Sequence, residues 1–125
     1  MKYTLTLPIS PSINNYFGTH CKFTYPSIYI KTKGKEYRKT INTYITKNNL
    51  KLRANIPLSL KITIHPARNN KWDLDNRLKS LLDALTHAEV WEDDSLIHKM
   101  TIEKAPKVKD GQIIIEISKY EATND

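Results

Sequence analysis

Apolar and polar residues alternate from Lys2 to Pro8, with Tyr3, Leu5 and Leu7 set against Thr4 and Thr6, which predicts a half-buried strand. The next segment, "SPSINNYFGTH" (10–20), is turn-rich, with Pro11, two asparagines and Gly18, and reads as a loop. "SIYIKT" (27–32) fits a short strand. Over 34–50 the period changes: Tyr37, Ile41, Tyr44 and Ile45 form one stripe at helical spacing. "LSLKITIH" (58–65) returns to alternation and ends at Pro66. The polar, basic loop "ARNNKW" (67–72) follows. A second helix then places Leu78, Leu81, Leu82, Leu85 and Ala88 on one face. "VWEDDS" (90–95) is an acidic loop, "LIHKMTIEK" (96–104) a strand, Asp110-Gly111 a turn, and "IIIEIS" (113–118) a last strand. The expected fold class is α/β of the α+β kind. One small mixed sheet carries two main helices on one face, in a single domain over 1–120 with a frayed tail at 121–125.

Composition narrows the partners. The chain has 125 residues, enough for one core, and a formal charge of +7. That surplus favours an anionic partner, nucleic acid before an acidic membrane surface. The single cysteine, Cys21, excludes an intrachain disulfide and a cysteine-based zinc knuckle, and suits a reducing cytoplasm. The start of the chain is not a long apolar run, so no signal peptide is expected, and no segment is apolar enough to span a bilayer.

The candidate chemistry lies in "WDLDNRLKSLLDAL" (72–85). Residues two apart share a side in an extended segment and oppose each other in a helix. Asp73 and Asp75 can therefore serve one site if the helix starts at about Asp75, which is expected to be its N-cap. Two hard carboxylates beside a basic loop suit Mg²⁺, with Mn²⁺ as a substitute. A cap without a metal is the plainer alternative. Lys79, four residues beyond Asp75, would touch the same phosphate or pair with Asp75 or Asp83. A second acidic cluster, Glu92 to Asp94, offers a third ligand. A helix to Glu89 is roughly 22 Å long, and the chain from Glu89 to Asp94 spans at most about 17 Å. Asp94 should therefore not easily meet Asp73 of its own chain unless the helix ends early, and it is expected from the partner subunit of a dimer. His65, His87 and His98 read as structural or surface residues, and neither Ser12 nor Cys21 has a base partner.

These residues resemble the signature of RusA-type Holliday junction resolvases, a family of crossover junction endodeoxyribonucleases. The pattern is DxDN, Lys, Asp-Ala-Leu, then an acidic pair after an aromatic: here Asp73, Asp75 and Asn76, Lys79, Asp83-Ala84-Leu85, and Trp91 with Asp93 and Asp94. "LPISPSINNYF" resembles the family's opening and "KGKEYRK" its Gly-x-x-Tyr-Arg step. The resemblance implies a homodimeric, Mg²⁺-dependent enzyme that nicks two strands symmetrically at a four-way junction. It makes Asp73, Asp75 and Asp94 the metal-binding catalytic residues and Lys79 the essential lysine. The chain departs from the family in three places. Only Arg68 and Lys71 precede DxDN, Glu89 stands where a Gly is common, and Leu96 replaces a polar residue.

DNA contacts are expected from Lys31, Lys33, Lys35, Arg38, Lys39, Arg68, Lys71 and Lys79, mainly to phosphates. Asn14, Asn15, Tyr16 and Phe17 either wedge into the branch point or, for the two aromatics, anchor the loop on the core. Trp72 and Trp91 are expected to pack. Two rivals remain open at this point: a non-catalytic basic DNA-binding module, and a nuclease for other branched DNA.

Overall fold

The computed structural model describes residues 1–22, 25–69 and 71–122, with the side chains of 20–27 outside that description. The side chain of Cys21 and the end of the tail (123–125) therefore lie outside the described residues. The chain runs β1 (Lys2–Leu7), α1 (Ile13–Tyr16), β2 (Phe17–Lys22), β3 (Tyr25–Ile30), α2 (Thr32–Lys47), β4 (Leu58–His65), α3 (Asp75–His87), a 3₁₀ turn (Asp94–Leu96), β5 (Ile97–Lys104) and β6 (Gln112–Lys119).

Four strands form a mixed sheet in the order β1-β6-β4-β5. β6 pairs antiparallel with both β1 and β4, while β4 and β5 run parallel. The parallel pair needs a crossover, and α3 supplies it. The alternation read from the sequence is the burial observed. Leu5 and Leu7, then Leu58, Leu60, Ile62 and Ile64, then Ile113, Ile115 and Ile117 all enter one core. They meet Tyr37, Ile41 and Ile45 of α2 and Leu81, Ala84 and Leu85 of α3 in that same cluster. The mixed sheet under two main helices is as the periodicity predicts.

Two features differ from the expectation. The segment read as a loop at 10–20 holds one helical turn, α1, and the strand β2. β2 and β3 pair in an antiparallel hairpin that forms a separate two-stranded sheet. "FGTHCK" lacks clean alternation, so no period marked it as a strand. The second difference is in α3. Leu81 and Leu85 are fully buried, but Leu78 and Leu82 are half-buried. Leu74, Leu78 and Leu82 recur every fourth residue and form the border between the core and an open groove.

Glu89 has φ +67°, the left-handed conformation that glycine adopts without cost. The chain reverses there, after the helix, and Trp91 plugs into the core with its indole N–H donating to Thr86 Oγ1 at 2.6 Å. Arg53 and Lys51 approach the Glu89 carboxylate at 3.4 and 3.6 Å.

Candidate active site

The groove along α3 is lined by Asp75, Leu78, Lys79, Leu82, Asp83 and Asp94 and encloses about 320 Å³. Helix geometry puts Asp75, Lys79 and Asp83 four residues apart on one stripe beside the leucine border, exposed at Asp75 and Lys79 and half-buried at Asp83. Two turns bring Asp94 to the same groove within one chain. α3 ends at His87, not Glu89, so its 13 residues span about 20 Å. The left-handed turn at Glu89 then folds the acidic loop back along the helix. The helix thus ends early enough for Asp94 and Asp75 to line one groove within a single chain. Asp73 is exposed and is not among the groove's lining residues.

Asp75 is the first helical residue rather than the N-cap. Leu74 holds the cap position in helical conformation, and no side chain caps the helix. The turn starts earlier because Asn76 N–H donates to Asp73 C=O at 3.1 Å while half-buried Leu74 packs on the core. "DLD" is therefore a turn, not an extended segment. Asp75 still gains from the positive end of the helix dipole.

Lys79 is exposed and makes no ion pair among the described residues. Its Nζ lies 5.1 Å from the centroid of the Phe17 ring, a cation–π placement. Of the two roles read for Lys79, pairing with Asp75 or Asp83 is not seen among the described residues, and Asp83 is already engaged. Asp83 Oδ2 accepts from Arg38 Nη2 at 2.7 Å, from Arg38 Nε at 3.0 Å, and from the Tyr16 hydroxyl. Arg38 Nε also donates to Tyr16 Oη at 2.8 Å. This triad ties α1, α2 and α3 together behind the groove. Burial, and then the Asp83 bond, pushes the Tyr16 hydroxyl above its ordinary pKa. Burial works to lower Arg38, but its bonds to Asp83 and Tyr16 outweigh that and raise it.

Tyr16 is fully buried and its ring packs 4.5 Å from that of half-buried Phe17. Both anchor the segment; Tyr16 presents no face to a base. Asn14 and Asn15 are exposed on α1. Lys31, Lys33, Lys35, Lys39, Arg68 and Lys71 are exposed, whereas Arg38 is engaged with Asp83. The segment before α1 is stapled to α3 at three points. Arg77 Nη1 donates to Ser10 C=O, Ser10 Oγ to Arg77 C=O, and Ser80 Oγ to Pro11 C=O, each at 2.7 Å. Sequence reasoning missed Arg77, Ser80 and the Tyr16–Asp83 contact. The only available signal was the co-occurrence of Tyr-Arg and Asp-Ala-Leu, which carries no distance.

Asp93 is held below the usual carboxylate range by a hydrogen bond from the Ser95 hydroxyl. His65 bonds the Pro106 carbonyl at 2.8 Å, and His87 and His98 are exposed. Among the described residues, no three of His, Cys, Asp and Glu converge closely enough to hold a metal ion. The donors nevertheless fit a hard divalent cation: Asp75 and Asp94 are exposed carboxylates on one groove with no ion pair among the described residues. No helix of the described residues is long and apolar enough to cross a membrane.

A family model described as endodeoxyribonuclease RusA matches residues 7–118. A crossover junction endodeoxyribonuclease from Enterobacteria phage HK97 is 32% identical over 121 residues, 97% of this chain and 98% of that protein. Proteins of the same name from Shigella sonnei (strain Ss046) and Escherichia coli (strain K12) are 31% and 30% identical, each over 93% of both chains.

Proposed function

The chain belongs to the RusA endodeoxyribonuclease family, and from that premise we propose that it is a divalent-metal-dependent resolvase of four-way DNA junctions, acting in recombination and repair in the cytoplasm. The observation that carries the proposal is the groove on which Asp75, Asp94 and unpaired Lys79 meet. Asp75 and Asp94 would hold Mg²⁺, or Mn²⁺ in its place, with Asp73 as the third carboxylate. When bound, the ion supplies a Lewis acid and a water of lowered pKa for phosphodiester hydrolysis.

The protein's own groups do the rest. Lys79 places its ammonium beside the scissile phosphate and stabilises the charge that develops there. The Phe17 ring holds that ammonium on its face without neutralising it. The Tyr16–Arg38–Asp83 triad fixes Phe17 and α3 relative to one another, so Arg38 positions the site rather than gripping a phosphate. Lys31, Lys33, Lys35, Lys39, Arg68 and Lys71 supply phosphate contacts, and binding should weaken steeply with salt.

A homodimer suits this reading for two reasons. One protomer brings only two of the three carboxylates to the groove. A twofold dimer also presents two equivalent sites to a junction with twofold symmetry. The test is a cleavage panel of four-way, flap and linear DNA with Mg²⁺. Paired symmetric nicks in the four-way substrate alone support the proposal. Equal cleavage of flaps favours a broader branched-DNA nuclease, and binding without nicking favours a non-catalytic module.

A further inference from the structure

We propose that a second cleft, between α1, β3 and the start of α2, holds one unpaired nucleotide of the branched DNA, with the base stacked on Tyr29 and the phosphate on Lys31 and Lys33. The inference rests on the reading of the chain as a DNA-junction protein and adds to it a residue that recognises the branch. The cleft encloses about 380 Å³ and is lined by Asn15, Tyr29, Lys31, Thr32 and Lys33. Among the described residues its charged lining, Lys31 and Lys33, is cationic, so it suits an anion. Lys31 and Lys33 flank the first turn of a 16-residue helix that has no acidic residue in that turn and no side-chain cap.

The aromatic wall has an arrangement of its own. Tyr29 pairs with Gly18 across the hairpin. A methyl group at Gly18 would lie 2.6 Å from Tyr29 Oη and 2.7 Å from Cε1, so the phenolic end of the ring occupies the space a side chain there would fill. Glycine thus lets the ring rest against the opposite strand, while Tyr29 stays 47% exposed. Its neighbour Ile28 is 70% exposed. Large apolar side chains side by side on a basic surface mark a candidate interaction site. An aromatic face next to lysines matches a nucleotide, whose base is a π-surface and whose phosphate is an anion. Fully paired duplex offers no free base face, so stacking here selects DNA with an unpaired or splayed base. Tyr16, the obvious aromatic of the segment, is buried and cannot take this role.

The experiment measures binding without divalent cations, so that nothing is cut. The probes are a four-way junction carrying 2-aminopurine at the branch point and a paired duplex of equal length. Tyr29→Ala is expected to weaken junction binding roughly 5- to 150-fold, the range of base–aromatic stacking. It should also abolish the 2-aminopurine fluorescence change and move duplex affinity less than about twofold. Tyr29→Trp should retain both properties. Tyr29→Leu, which still covers Gly18, should lose the fluorescence change at an unaltered Tm. Replacing Lys31 and Lys33 by Gln should lower the salt slope by about 1.4–1.8. Equal losses on junction and duplex, or wild-type behaviour of Tyr29→Ala, would overturn the inference. Cleavage in Mg²⁺ is scored separately on the unmutated protein. Tyr29-dependent stacking without nicking supports this cleft and rejects the nuclease reading, whereas nicking with no Tyr29 effect rejects the cleft alone.

Discussion

Replacing Asp83 by Ala removes the acceptor at the centre of the Tyr16–Arg38–Asp83 triad, and its cost can be worked from what each donor can do next. The Tyr16 hydroxyl belongs to a fully buried residue and loses its acceptor, at about 1–3 kcal/mol for an unsatisfied buried group. Arg38 is different. The side chains of Arg38 and Asp83 are 25% and 30% exposed, so the guanidinium can turn to water, and its share falls to about 0–1 kcal/mol. The sum is about 1–4 kcal/mol. For 125 residues the unfolding entropy is about 0.26 kcal/mol/K, so Tm should fall by roughly 4–15 °C. Tyr16→Phe removes only the hydroxyl and should cost about 0.5–1.5 kcal/mol. In the double variant most of the Tyr16 cost is already spent, so the two effects should be non-additive by at least about 0.5 kcal/mol. Urea unfolding of the two single variants and the double variant measures this. Strict additivity, or an Asp83→Ala cost below about 0.5 kcal/mol, would refute the triad as the link between α1, α2 and α3.

Three further outcomes follow from the packing. Gly34→Ala should destabilise by about 1–3 kcal/mol despite its better helix propensity, because a methyl group would lie 2.7 Å from both the Tyr16 carbonyl and Ile30 Cγ2; a thermal melt that rises would contradict this. Leu81→Ala should cost about 2–5 kcal/mol and half-buried Leu82→Ala clearly less, so reversed order in chemical unfolding would contradict the assignment of the groove border. Burial pushes both Tyr16 and Tyr37 above the ordinary tyrosine range. Their neutral forms are favoured in the folded state, so their contribution is full below the unfolded pKa of about 10 and is lost as pH rises beyond it. Ultraviolet titration should show these two of the seven tyrosines ionising only with unfolding at high pH; ionisation of all seven near pH 10 in folded protein would contradict it.

The parts of the fold that cover the core were legible in the sequence because burial imposes a period. β1, β4 and β6 alternate, α2 and α3 carry stripes, and each appeared where the period placed it. β2 left no clear period, and although 27–32 read as a strand, nothing in the sequence paired it with β2 or set Tyr29 at the surface. The site was half legible. Asp75, Lys79 and Asp94 share one groove because helical spacing and a chain reversal put them there. The reversal depended on the left-handed Glu89, a conformation that no glycine announced. Asp73 was tied to Asp75 through a helix starting at about Asp75; the helix does start there, with Leu74 in its entering turn, and Asp73 does not line the groove. Arg38 looked like a phosphate contact by charge alone; its partners Tyr16 and Asp83 are 22 and 45 residues away, a separation that composition cannot reveal.

The central claim is that Asp75 and Asp94 form the hydrolytic site for a branched DNA phosphate. Single-turnover nicking of a synthetic four-way junction in Mg²⁺, measured for the unmutated protein and for Asp75→Asn, tests it most directly. Paired nicks are expected from the unmutated protein. Asp75→Asn should lose them with junction binding kept or tightened, since a negative charge beside phosphate is removed. Nicking by Asp75→Asn at the unmutated rate would contradict the claim.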